Sequence, residues 1–288
     1  MIDPSFVARA EPGEVVLHGD LEAYDVEPLL AVLRRCSDDH RDDLVLDLAA
    51  VTYLPSPVLG ALARLRVAAS RGGWALTLVV RDGTVAQRAL HVSGLPFETV
   101  TEAPGAPGET DAGSADRDAD DVPAATAPAD GGWRVVRPRA MVDVLSDESL
   151  AADWADVDLP HGPEAGPRAR ATLREVFGAM TGLAESSLQD VLIVAGELVI
   201  NAVDHGRPGP LGTIRLSWLL NDGRVCLRVT DAGYDPGFAD GLPGEAAPES
   251  VRGRGLFMVD AISEDWCVLS DPITETTHVA ARLGRVRA

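Results

Sequence analysis

Between Glu102 and Asp130 the sequence reads EAPGAPGETDAGSADRDADDVPAATAPAD, and this stretch decides how the rest can fold. It holds eight acids, one arginine and almost no large apolar side chain, so it carries −7 of the chain's formal −20. Such a segment cannot bury enough surface to offset its ordering entropy, and its composition predicts a flexible, self-repelling linker. The 288-residue chain is thereby divided into a first domain over 1–101, an acidic linker over 102–132 and a second domain over 133–288. Both flanking parts have ordinary domain size.

Charge and residue usage exclude several functions. A net charge of −20 argues against a broad nucleic-acid or anionic-membrane surface, since phosphates demand local positive potential. The chain has no lysine, all 25 basic residues being arginine, so a Walker phosphate loop and Schiff-base chemistry are ruled out. Cys36, Cys226 and Cys267 are odd in number and far apart, and they read as small buried hydrophobes in a reducing compartment. No run of 18 apolar residues suggests a membrane span, and MIDPSFVARAEPGE lacks the order of a signal peptide. The expectation is a cytoplasmic protein with no membrane and no direct nucleic-acid partner.

The first part alternates strand and helix patterns. Glu14–His18, Leu44–Leu48 and Ala75–Val80 read as strands, and Val26–Cys36, Pro57–Ser70 and Thr84–Val92 as helices. This is an α/β pattern, a sheet covered by helices. In the second part, Arg168–Thr181, Leu188–Val203 and Gly255–Ile262 read as helices. Val157–Leu159, Thr213–Leu219, Arg224–Thr230 and His278–Leu283 read as strands, with Asn221-Asp222-Gly223 as a tight hairpin turn. Asp235–Val251 is a long Gly- and Pro-rich loop, and Trp133–Leu145 stays open.

The chemistry concentrates in the second part. Glu197 and Asn201 stand four apart on a predicted helix, so a carboxylate and an amide oxygen share one face and could hold a water and an oxygen-seeking Mg²⁺. Alone, that pair is equally a solvated polar stripe. Downstream, an apolar strand ends in Asp231-Ala232-Gly233, and Gly253-Arg254-Gly255-Leu256 opens a helix whose free N–H groups suit phosphates.

In this order the three motifs resemble the Bergerat-type ATP-binding fold of the gyrase, chaperone, histidine-kinase and mismatch-repair superfamily. The sequence is most similar to its bacterial anti-sigma-factor serine kinase branch. The likeness runs from about Asp156 to Arg285 and includes ELVINAVDHG, DAG, GRGL and a closing Thr277-x-Val279. It implies an α+β sandwich with one helical layer on a mixed sheet, with ATP and Mg²⁺ as cofactors. By the same resemblance Asp231 would bond the adenine amino group, supported by Thr277, and Gly233 would let the base approach the backbone. Asn201 would bind Mg²⁺, and Glu197 would orient or deprotonate the attacking hydroxyl. Gly253, Arg254, Gly255 and Leu256 would face the phosphates, with Asp235–Val251 as lid. His205 also falls on the family pattern, where it is equally a structural residue at a helix end. Tyr234-Asp235 and Thr276 replace glycines usual in the family.

The first part, from Gly13 to about Thr101, resembles a STAS domain, the fold of anti-sigma-factor antagonists. The residues that carry this are Val15–Glu22, Leu44–Leu48 and Tyr53-Leu54-Pro55-Ser56-Pro57. In that family the cognate kinase phosphorylates a serine at the start of the second helix, which aligns with Ser56. Here Pro55 and Pro57 replace the usual acid and small residue. Serine at an N-cap followed by proline is also a plain helix start.

Two function classes follow. One is an ATP-dependent serine kinase and anti-sigma regulator acting by partner switching in bacterial transcription. Its partners would be a STAS-domain antagonist, a sigma factor, or its own STAS domain in cis, and a homodimer stays open. The other is a non-catalytic, nucleotide-dependent module that sequesters such a partner. Retention of Glu197 and Asn201 favours the first, and the prolines around Ser56 favour the second or a kinase acting on another chain. A sensor histidine kinase would need a phosphoaccepting histidine on a helical hairpin before the ATP site, and the linker has none.

Overall fold

The strand and helix patterns assemble around two separate five-stranded sheets. The structure, a computed structural model, describes residues 4–100, 150, 153–180, 183–233, 254–271 and 274–285. The acidic linker, Trp133–Leu145, Asp235–Val251 and Gly253 lie outside the described residues.

The first sheet begins with β1 (Val7–Glu11) and β2 (Glu14–Asp20), an antiparallel hairpin turning at Gly13 with φ 80°. It continues through α1 (Val26–Cys36), β3 (Leu44–Tyr53), α2 (Ser56–Gly72), β4 (Leu76–Arg81), α3 (Val85–Ser93) and β5 (Glu98–Val100). The order is β1-β2-β3-β4-β5, with β2 to β5 parallel. Helices link consecutive parallel strands because such strands need a long crossover. Leu44, Leu46 and Leu48 of β3 point to one side and meet Leu29, Leu33, Leu59, Leu62 and Leu90 in a core where each is at most 1% exposed. Gly73 stops α2 in the left-handed conformation, φ 78°, and Thr84 caps α3 by accepting the Gln87 N–H at 3.2 Å.

Next come β6 (Ala155–Pro160), α4 (Ala165–Gly178), α5 (Glu185–His205), β7 (Thr213–Asn221) and β8 (Arg224–Asp231). They are followed by α6 (Arg254–Ile262), β9 (Ser263–Asp271) and β10 (Thr276–Arg285). The second sheet runs β6-β7-β8-β10-β9. Among the described residues every neighbouring pair in it is antiparallel, which corrects the expected mixed sheet. A short hairpin explains one of these pairs: β7 and β8 turn on Asp222 and Gly223, both at positive φ (50° and 70°), and β9 pairs antiparallel with β10, the next strand in the chain. Helices α4 and α5 cover the sheet, and Leu173, Phe177, Val194, Leu198, Ile214, Leu216 and Leu227 fill the space between.

Helix α4 begins at Ala165 rather than Arg168, because Pro167 is tolerated in a first turn. Helix α5 is long and apolar enough by composition to cross a membrane, yet 61% of that apolar window is buried inside the fold. It is apolar nearly all round because both its faces are covered. Val191, Val194, Leu198 and Ala202 face the second sheet, while Ile193 joins the core of the first domain together with Met258 of α6. Cys36 and Cys226 are buried and Cys267 half-buried, all free. Burial pushes the Cys226 thiol up to about 11 and the Cys267 thiol up to about 12, so neither is a ready nucleophile.

Candidate functional site

Helix α5 carries Glu197 on the face turned toward the first domain, and there the carboxylate meets the start of α2. The Ser56 N–H donates to Glu197 Oε1 at 2.8 Å, and the Ser56 hydroxyl donates to Oε2 at 2.6 Å. Both residues are buried, Glu197 at 1% and Ser56 at 6% exposure. The expectation that Ser56 is an N-cap is corrected: Pro55 is the cap, in extended conformation, and Ser56 is the first helical residue. Its side chain caps nothing within its own helix.

The free donors of the first turn account for this arrangement. Pro57 has no N–H, and the Val58 and Leu59 N–H groups return to the Pro55 carbonyl at 3.0 and 3.1 Å. Only the Ser56 N–H remains, and a carboxylate from the other domain takes it, at the positive end of the helix dipole. Burial pushes the Glu197 carboxyl up to about 7, although the two bonds from Ser56 pull the other way.

One turn further along α5 stands Asn201, whose amide nitrogen is buried without a hydrogen-bond partner among the described residues. Gly255, near the start of α6, closes over the same point. A Cβ there would lie 2.6 Å from Glu197 Oε2 and 3.5 Å from both Asn201 Oδ1 and Ser56 Oγ. Only glycine allows this approach, which brings the first turn of α6 against the acid, the amide and the hydroxyl together. Leu256 is half-buried beside it, and Arg254 opens the helix.

The far end of α5 leads to Asp231, the last residue of β8, 6% exposed. Its Oδ1 accepts the Gly233 N–H at 2.7 Å and the Arg207 N–H at 3.2 Å, and among the described residues no donor reaches Oδ2. Burial raises its pKa, opposed by those two N–H groups. A Cβ at Gly206 would lie 2.6 Å from Asp231 Cγ and one at Gly233 2.7 Å from Oδ1, so glycines leave this acid its room. Thr277 of β10 pairs across the ladder with Asp231, and its hydroxyl donates to the Gly233 carbonyl. From Glu197 to His205 at the end of α5 is eight steps, roughly 12 Å at the helical rise, so the two ends suit an elongated ligand. His205 is exposed at the end of α5.

The residues that hold the two domains together were not visible as a motif. Arg170 of α4 is fully buried, pairs with Asp20 at 3.0 Å and with Glu22, and lies 3.8 Å over the Tyr53 ring. Arg174, one turn on, reaches Asp20 at 3.3 Å. Burial pushes the Asp20 carboxyl up, but Arg170, the Thr52 hydroxyl and Arg174 together hold it below the ordinary range. Glu22 stays raised, because burial outweighs its bonds to Arg170. A second contact joins Arg88 of α3 to Asp190 at 2.9 Å, and the Gln189 amide donates to the Gly83 carbonyl at 2.5 Å. Gln189, Asp190, Ile193 and Glu197 recur at helical spacing, so one stripe of α5 serves both the docking and the site.

Comparison with known proteins divides the chain in the same way. The family model for STAS domains matches residues 6–103, and the one for histidine kinase-like ATPase domains matches residues 159–280. The chain is therefore a STAS domain joined to a histidine kinase-like ATPase domain. A solved structure described as the RsbU and RsbW domains of Rv1364c from Mycobacterium tuberculosis is similar at 22% identity, with a TM-score of 0.35. The likeness covers 47% of this chain and 33% of that one, so this chain spans about a third of that length. No curated protein matches.

Proposed function

We propose that this chain is an ATP-dependent serine kinase of the anti-sigma type, working in a partner-switching regulator, with Ser56 of its own STAS domain as phosphoacceptor. The observation that carries this reading is the hydroxyl of Ser56 on the carboxylate of Glu197, at 2.6 Å, between two domains whose contact lies 141 residues apart in sequence. A general base must stand within hydrogen-bond reach of the proton it takes, with a pKa near the working pH, and Glu197 at about 7 meets both conditions.

ATP is the substrate that would supply the phosphoryl group. The Asp231 carboxylate has its second oxygen free for an exocyclic amine, and Gly206 and Gly233 leave space at that acid, which fits a purine base there. Asn201 would hold Mg²⁺, which supplies charge neutralisation on the phosphates. Gly255 and the first turn of α6 would present N–H groups to the same phosphates. In the transfer, Ser56 Oγ would form a bond to the terminal phosphorus as the bond from that phosphorus to the bridging oxygen breaks and ADP leaves with the electron pair, while the serine proton would pass to Glu197 Oε2. Partners outside the chain would be a STAS-domain antagonist or a sigma factor, taking the face that the STAS domain now covers.

The second reading is a non-catalytic binding module. What favours it is Pro55-Ser56-Pro57, which replaces the usual acid before the acceptor, and the depth at which Ser56 is held. Incubating the purified full chain with labelled ATP and Mg²⁺ separates the two. The kinase reading expects label on the wild type and none on Glu197→Gln with nucleotide binding retained. Absence of transfer to the chain and to any STAS protein tried, with ATP bound, supports the binding module instead.

A further inference from the structure

Tyr53 ends β3 three residues before Ser56, and its side chain is buried against the backbone of α5 at Gly196, next to Glu197. A Cβ at position 196 would lie 2.7 Å from Tyr53 Cζ and 3.0 Å from Cε2, and closer still to Oη. Contacts under about 3 Å do not occur for real Cβ atoms, and here the obstacle is the hydroxyl end of a buried ring that Arg170 covers at 3.8 Å. The ring is rigid and cannot shorten. Gly196 is thus a notch in an otherwise apolar helix, and Tyr53 is the knob that fills it.

Helix formation gives no reason for glycine at this place, since alanine is the better residue in a helix interior. The notch is explained by what enters it. We infer that Gly196 is a specificity-determining residue, whose missing side chain lets the ATPase domain accept STAS domains with an aromatic side chain three positions before the presented serine. The residue acts by position and touches no reacting atom. The inference rests on the docked arrangement described above and does not require that phosphate be transferred.

The test is a double-mutant cycle on the full chain without nucleotide, reading hydrogen exchange at the Ser56 amide and along Tyr53–Leu59. That amide is protected only while it bonds to Glu197. Gly196→Ala forces overpacking in a tight contact and is expected to speed exchange there by about tenfold to a hundredfold. Tyr53→Leu loses the stack on Arg170 and speeds exchange on its own account. In the Tyr53→Leu background, however, Gly196→Ala adds less than about twofold, because the ring it would meet has gone. Unchanged nucleotide affinity and unfolding of the ATPase half in Gly196→Ala exclude a folding defect, since the substitution favours helix. Wild-type exchange in Gly196→Ala, or the same acceleration with and without Tyr53, overturns the inference. Phosphotransfer is assayed separately, so a chain that docks by this rule yet transfers nothing refutes only the kinase reading.

Discussion

Replacing Arg170 tests whether the buried ion pair holds the STAS domain on the ATPase domain. Arg170 is fully buried and Glu22 is 3% exposed, while Arg174 lies 3.3 Å from Asp20 and stays in place. In Arg170→Met the stem and much of the volume remain, Asp20 keeps Arg174 as a partner, and Glu22 loses the guanidinium it pairs with. Removing one member of a buried pair costs about 3–5 kcal/mol, because the other charge is left uncompensated. With Asp20 still paired, the lower end applies, about 3 kcal/mol, or roughly a hundredfold in the docked-to-undocked ratio. The Ser56 amide should exchange about a hundredfold faster, as should residues Gln189–Glu197 that face it on α5. Adding Glu22→Gln removes the orphaned charge and should recover most of the loss. Exchange within threefold of wild type in Arg170→Met, or no recovery in the double variant, would refute the reasoning.

Other outcomes follow from the same geometry. Asp231→Asn turns an acceptor into a possible donor and should weaken nucleotide binding about tenfold to a hundredfold by titration calorimetry. Asn201→Ala should lower only the Mg²⁺-dependent part of that affinity, seen by titrating with and without Mg²⁺. Burial raises the Glu197 carboxyl from 4.5 to about 7 in the folded chain, so its contribution to folding stability is fully present below about pH 4.5 and is lost as pH rises through about 7, which unfolding measured across that range checks. A base must be deprotonated, so single-turnover transfer should rise between pH 6 and 8 with a midpoint near 7, and a flat profile would contradict Glu197 as base.

Much of the candidate site was legible because it is local. Glu197 and Asn201 share a helix face four residues apart, Asp231 and Gly233 end one strand, and Gly255 opens a helix; each is a short-range pattern. The strands that escaped the pattern carry none of it: every residue of β1 but Ala10 is exposed, β5 has three residues, and β9 follows α6 with no turn between. The docking residues were illegible for another reason. Arg170 is one arginine among many, and Gly196 reads as a mild helix breaker. Their meaning comes from Glu22 and Tyr53, more than a hundred residues away, and no periodicity within one element records such complementarity. Ser56 lies between the two cases: its position at the helix start was readable, but its partner was not.

The central claim is that the Ser56 hydroxyl, held by Glu197 of the same chain, receives the phosphoryl group. The direct measurement is phosphosite mapping by mass spectrometry of the full chain after ATP and Mg²⁺, over a hundredfold range of protein concentration. The account predicts phosphate on Ser56, formed with a first-order rate constant that does not change on dilution. Phosphate on another residue, or a rate constant that falls in proportion to protein concentration, would contradict it.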